Sequence, residues 1–242
     1  MTDWTTMATT DGVLLLGSSV LGVLAGRLCA WIACWLPPLL EDQWHRDAQE
    51  VLGLPLDKTQ DSRPPAASRL KPWIVQIACS ALSLVVALQL GPTFQAMLAM
   101  LLTWWLLILS LIDWEHRLLP DALVIPGLWA GLVINSFGVF ATLQEALWGS
   151  LFGWMSLWSV CQLAKLITGQ DSIGRGDFKL LALLGAWGGM HIIGWTIIGA
   201  MIGAALLALA LKLLGKVRPN TKIPFGPFLS AAGWTATLAA VH

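Results

Sequence analysis

Apolar residues in this chain come in long runs broken by short polar stretches, and most of the runs have the length of a bilayer crossing. A hydrocarbon core of about 30 Å takes about 20 helical residues, because every lipid-facing backbone group must be bonded within the segment. On that measure the pattern predicts eight spans: 12–36, 73–90, 93–112, 123–140, 146–167, a short one from 177 or 178 to 188, 192–214 and 223–241. Gly91 and Pro92 mark a tight turn between the second and third. The predicted fold class is all-α, a polytopic integral membrane protein forming one domain over residues 1–242. The largest polar segment is the loop 41–72. Leu40, Trp44, Ala48 and Val51 recur there at helical spacing and predict an amphipathic surface helix over 38–52, while 55–71 reads as flexible linker.

Composition confirms the class: 57% of the 242 residues are hydrophobic and 12% charged, far too apolar for a soluble domain of this length. The formal net charge of zero points to no nucleic acid and no polyanionic partner. Placement of the charges says more. Every Lys and Arg except Arg27 falls on one side of the eight-span arrangement, and that side is cytoplasmic. The N-terminus, the Gly91 turn, the loop around Glu145 and the turn near His191 lie opposite, so both termini are expected to be periplasmic and the chain to sit in a bacterial inner membrane. No basic flank precedes the first span, so it is read as retained. Fifteen Trp and no Tyr supply interfacial anchors such as Trp73, Trp114 and Trp148. Glycines four apart, at 22 and 26, 127 and 131, 149 and 153, and 199 and 203, predict close helix packing within the monomer rather than a dimer interface.

Candidate chemistry lies where carboxylates meet apolar runs. LIDWEHRLLPD (111–121) places Asp113 at the inner end of the third span, and GRGDFKL (174–180) places Asp177 at the inner start of the sixth. The two aspartates therefore share a side and a depth. Asp177 suits a helix N-terminus, but Asp113 sits at a C-terminus, where the dipole disfavours an anion, so its placement asks for another reason. Catalysis supplies one. Two carboxylates held together titrate as a unit and share a proton, so one takes a proton from water while the other polarises a carbonyl. Gly174 and Gly176 would keep the start of the sixth helix unwound and admit an extended peptide. Lys179 is expected to snorkel to phosphates, or else to bias the charge of the pair. Asp121 reads as an N-cap, and Glu115, His116 and Asp171 as solvated loop charges.

Together with IPFGPFL (223–229), these motifs resemble the type IV prepilin peptidases, or type 4 leader peptidases, of the GxGD membrane aspartyl protease group. The resemblance implies that Asp113 and Asp177 are the catalytic pair, that the substrates are prepilins and pseudopilins of type IV pili or type II secretion, and that a basic leader is cut at the cytoplasmic face. Methylation of the new N-terminus from S-adenosylmethionine commonly accompanies this cleavage in the family. The stretch LPPLLEDQWHRDAQE (36–50) looks like the family's loop start. Many members also hold two CxxC pairs in this loop as a zinc site, and here the loop is shortened and lacks them. Cys29, Cys34, Cys79 and Cys161 all fall in predicted spans without ligand spacing, so no zinc or other metal is expected. The aspartate motifs are intact, so peptidase activity is expected, while the missing zinc site and shortened loop bear on methylation. The competing classes are a proton-coupled multi-span transporter and a non-catalytic pilus or secretion assembly factor. Against a carrier, both aspartates lie at one face and no inverted repeat is visible.

Overall fold

The structure is a computed structural model and describes residues 4–53, 71–168, 174–215 and 224–241. The linker 55–71 and Asp171, both singled out above, fall almost wholly or wholly outside these residues. All regular structure among the described residues is helical: α1 (Trp4–Val51), α2 (Pro72–Leu90), α3 (Phe94–His116), α4 (Asp121–Asn135), α5 (Leu143–Thr168), α6 (Arg175–Gly188), α7 (His191–Leu213) and α8 (Gly226–Ala239). Each overlaps one of the predicted apolar runs, with different ends. Four carry segments long and apolar enough to cross a membrane: Leu15–Val51, Pro72–Leu90, Phe94–His116 and His191–Leu213. Helices α4, α6 and α8 have 15, 14 and 14 residues and are too short by that measure. In α5, Trp, Gly and Ser dilute the hydropathy of a helix that is long enough.

Two compact units divide the chain, Met1–Pro92 and Thr93–His242. In the first, α1 departs from the expected span 12–36 followed by a separate surface helix: it runs unbroken for 48 residues through Pro37 and Pro38. Proline's fixed φ is compatible with a helix, but the pair supplies no N–H to the carbonyls of Ala33 and Cys34 one turn back, and its rings crowd them. Helices α1 and α2 pack closely. A β-carbon on Gly22 would come 2.6 Å from the Cα of Ser80, and one on Gly26 would come 2.6 Å from the Cα of Gln76. The Ser80 hydroxyl donates to the Ser19 carbonyl at 3.1 Å, and Cys29 of α1 and Cys79 of α2 are both buried.

The second unit is built around α6, which packs on α4, α5 and α8. Residues 180–187 of this helix are all buried. The remaining predicted glycine pairs serve it or its neighbours: Gly149 lies against Gly185 and Gly189, Gly153 against the backbone of Leu181, and Gly131 against Trp187. Helix ends follow local chemistry. The Thr93 hydroxyl accepts from the Ala96 amide to start α3. Thr142 and Glu145 form a reciprocal capping box for α5, each backbone N–H donating to the other's side chain at 3.0 and 3.2 Å. The buried Asn135 ends α4 and fastens the unit. Its amide nitrogen donates to the carbonyls of Ala186 and Trp187, both at 2.8 Å, while its oxygen accepts from the amides of Phe140 and Ala141. The Trp187 indole donates in turn to the Gly127 carbonyl at 2.9 Å. One polar side chain thus satisfies the last carbonyls of α6 and the loop ahead of α5, groups that hydrocarbon would leave unbonded.

Candidate active site

Both aspartates belong to the second unit and both are buried, Asp113 to 6% exposure and Asp177 to 8%. Asp113 lies in the last turn of α3, which closes on Arg117. That residue adopts the left-handed conformation (φ 55°) and returns its N–H to the Asp113 carbonyl at 2.9 Å. Asp177 lies in the first turn of α6. Helices α3 and α6 make no more than a passing contact, so the pair is not formed by two facing helices. Instead α8 packs on both of the helices that carry the carboxyls.

What holds Asp113 is the start of α8. The Gly226 N–H donates to Asp113 Oδ2 at 2.9 Å, and a β-carbon on Gly226 would fall 2.5 Å from that same oxygen. Only glycine lets the backbone approach a carboxylate this closely. Pro227 follows at the second position of α8, where its missing N–H costs nothing. Asp113 therefore ends one helix and faces the positive end of another. This answers the electrostatic objection to its placement, which the sequence reading met with catalysis alone. The motif around residue 226 was legible in the sequence, and its FGP triplet was the available signal for such an amide, but no role was attached to it.

The glycines of GRGD act differently from expectation. Gly174 caps α6, the helix is already wound at Arg175, and the Asp177 amide bonds the Gly174 carbonyl at 3.2 Å, so no unwound stretch reaches Asp177. Their smallness is used for proximity. A β-carbon on Gly174 would sit 3.3 Å from Asp177 Oδ2, and one on Gly176 would sit 2.8 Å from the Leu119 side chain. The loop after Asp113 therefore lies directly on the first turn of α6. Lys179 does not snorkel. Its ammonium pairs with both oxygens of Asp121 at 2.7 Å, binding the second turn of α6 to the first residue of α4. Asp121 is accordingly not an N-cap: Pro120 holds that position without a side-chain bond, and the Asp121 carboxylate is spent on Lys179. Among the described residues, no three His, Cys, Asp or Glu side chains gather as a metal site.

Known proteins resemble this chain over most of its length. The type IV leader peptidase family matches residues 100–211, a stretch containing both aspartates. A prepilin leader peptidase/N-methyltransferase of Pseudomonas putida is 40% identical over 98% of this chain and 95% of its own length. The chain belongs to the type IV leader peptidase family. Further members similar to it bear the same name: one of Pseudomonas aeruginosa is 40% identical over 90% of this chain and 88% of its own, and one of Xanthomonas campestris is 34% identical over 88% and 87%. The alignment with the Pseudomonas putida member runs over 278 positions, so that leader peptidase has inserted residues relative to the 242 of this chain. No solved structure matches.

Proposed function

We propose that this chain is a prepilin peptidase. It cuts the basic leader from type IV prepilins and pseudopilins at the cytoplasmic face of the bacterial inner membrane, with Asp113 and Asp177 activating water. The observation that carries the reading is a pair of buried aspartates on separate helices, the first of them held by the N-terminal amide of α8, in a member of this family. One carboxylate takes a proton from water as the oxygen attacks the scissile carbonyl. The other, protonated, donates to that carbonyl oxygen and later helps return a proton to the leaving amine. Gly174 and Gly176 shape the site by bringing its backbone close, and Lys179 positions α6 through Asp121. Proteolysis in this scheme needs no cofactor. A proton-coupled carrier or a silent assembly factor is not favoured.

The same reading includes eight spans, both termini in the periplasm, one peptidase domain over residues 1–242 and a cytoplasmic loop 41–72 too short for a zinc site. The length difference from the Pseudomonas putida relative supports the shortening. N-methylation, named in the relatives, would draw on S-adenosylmethionine as methyl donor. The groove along α7 and α8 does not fit that group, since no Asp or Glu lines it to hold ribose hydroxyls, and no methyl-transfer step is assigned to it.

The test is mass spectrometry of a type IV prepilin co-expressed with the chain, with Asp113→Asn, with Asp177→Asn, or alone. Leader loss with the unaltered chain only, both variants being inserted, is the expected result, and the mass of the mature N-terminus reads methylation. Intact prepilin with a folded, unaltered chain across several prepilins would defeat the proposal.

A further inference from the structure

We infer that the groove between α7 and α8 seats the apolar helix that follows the cut in the substrate; this rests on the peptidase reading above. The groove has a volume of about 730 Å³ and is lined from α7 by Trp195, Gly199 and Gly203 and from α8 by Phe228, Ala232 and Thr235. It is almost wholly apolar, and it opens outward beside Ala231 and Thr235, which are exposed.

Its course fixes the occupant. One end is at Phe228, two residues past the Gly226 amide that holds Asp113. The other end is at His191 and Ala240, where α7 begins and α8 stops. The groove thus follows α8 from Phe228 to Ala240, about 18 Å at 1.5 Å per residue, away from the proposed catalytic pair. A prepilin presents a peptide bond followed at once by an apolar helix. If that bond lies at Asp113, the helix needs a bed starting there and running across the hydrocarbon. Gly199 and Gly203 face Ala232 and Phe228 and set α7 close to α8. Alanines 231, 232, 236 and 239 keep the α8 wall low, so that such a helix can approach closely, the means by which helices associate where lipid removes any hydrophobic gain.

A photo-crosslinking residue placed at 235 of the full-length Asp177→Asn chain, in membranes containing uncut prepilin, reads occupancy without needing cleavage. Adducts to the prepilin's apolar segment are expected; adducts only to lipid or to the chain itself would overturn the inference. In the active chain, Ala231→Trp and Thr235→Trp fill the groove, with Leu206→Trp on the exposed face of α7 as control. The expected outcome is a loss of kcat/KM on full-length prepilin about tenfold greater than on a short peptide ending just past the cut, carried by KM, with the control unaffected. Equal effects on the two substrates would overturn it. An unaltered chain that cuts neither substrate would instead sink the peptidase reading, and the crosslinks would still decide the groove.

Discussion

Helices α6 and α7 are neighbours in sequence, both apolar, and opposite in use. Every residue of 180–187 in α6 is buried in protein, whereas α7 leaves Trp195, Met201, Leu206 and Leu213 at 60% exposure or more. The short helix is the hub and carries Asp177; the long one is peripheral and forms one wall of a groove. Apolar character alone therefore does not rank helices in a membrane protein. What separates these two is polar trim. The chemistry of α6 sits at its ends, in Asp177, Lys179 and the carbonyls taken by Asn135, while α7 has an exposed His191 bonded to Glu145 at 3.3 Å and little else.

The largest effect that would test this contrast falls on catalysis. Gly226→Ala puts a methyl group against Asp113 Oδ2, and cleavage is expected to fall about 10²-fold with the protein still inserted, since small misplacements of reacting groups cost that much. Near-normal cleavage would separate Asp113 from the α8 amide. Next, Leu184→Ala in α6 should cost about 2–5 kcal/mol in detergent unfolding and Leu206→Ala in α7 no more than about 0.5 kcal/mol, and similar values would erase the distinction between hub and periphery. Asn135→Leu strips the bonds at the end of α6 and is expected to cost about 1–3 kcal/mol in the same assay. Lys179→Ala breaks a pair that is partly exposed on both sides, so its stability cost should stay under about 1 kcal/mol and shrink with salt.

The smallest effect concerns Glu145, just ahead of the apolar stretch of α5. The Thr142 backbone N–H and hydroxyl hold its carboxyl below the ordinary glutamate value. Its contribution to stability is therefore present above that ordinary value and lost as pH falls through the lower, folded-state one. A Glu145→Gln chain should lose the part of the acid dependence of its melting temperature that lies in this window.

The sequence made much of this legible. Long apolar runs located the eight helices of the described residues, but not the short lengths of α4, α6 and α8 or the long continuation of α1, which packing within the protein decides. The two aspartates stood out because a charge at the edge of such a run is expensive. Less was visible where one side chain answers another far along the chain. Asp121 with the following apolar run reads as a cap until Lys179, 58 residues on, claims its carboxylate. Asn135 carries no local sign of its bonds to residues 186 and 187. The span 12–36 and the surface helix 38–52 are expected as two elements, yet α1 runs through Pro37 and Pro38 as one.

The amide of Gly226 has a bearing on how the cell makes this protein. Ribosomes deliver α3 first, then α6, and only afterwards α8. A nascent chain that ends before residue 226 already contains both aspartates but lacks the backbone group that holds the first of them. Helix α6 also has 14 residues, too few to be recognised as a crossing on its own, so its insertion leans on neighbours synthesised before and after it. The group that fixes Asp113 in place is thus among the last parts of the chain to be made, and the carboxyl waits for it through most of translation.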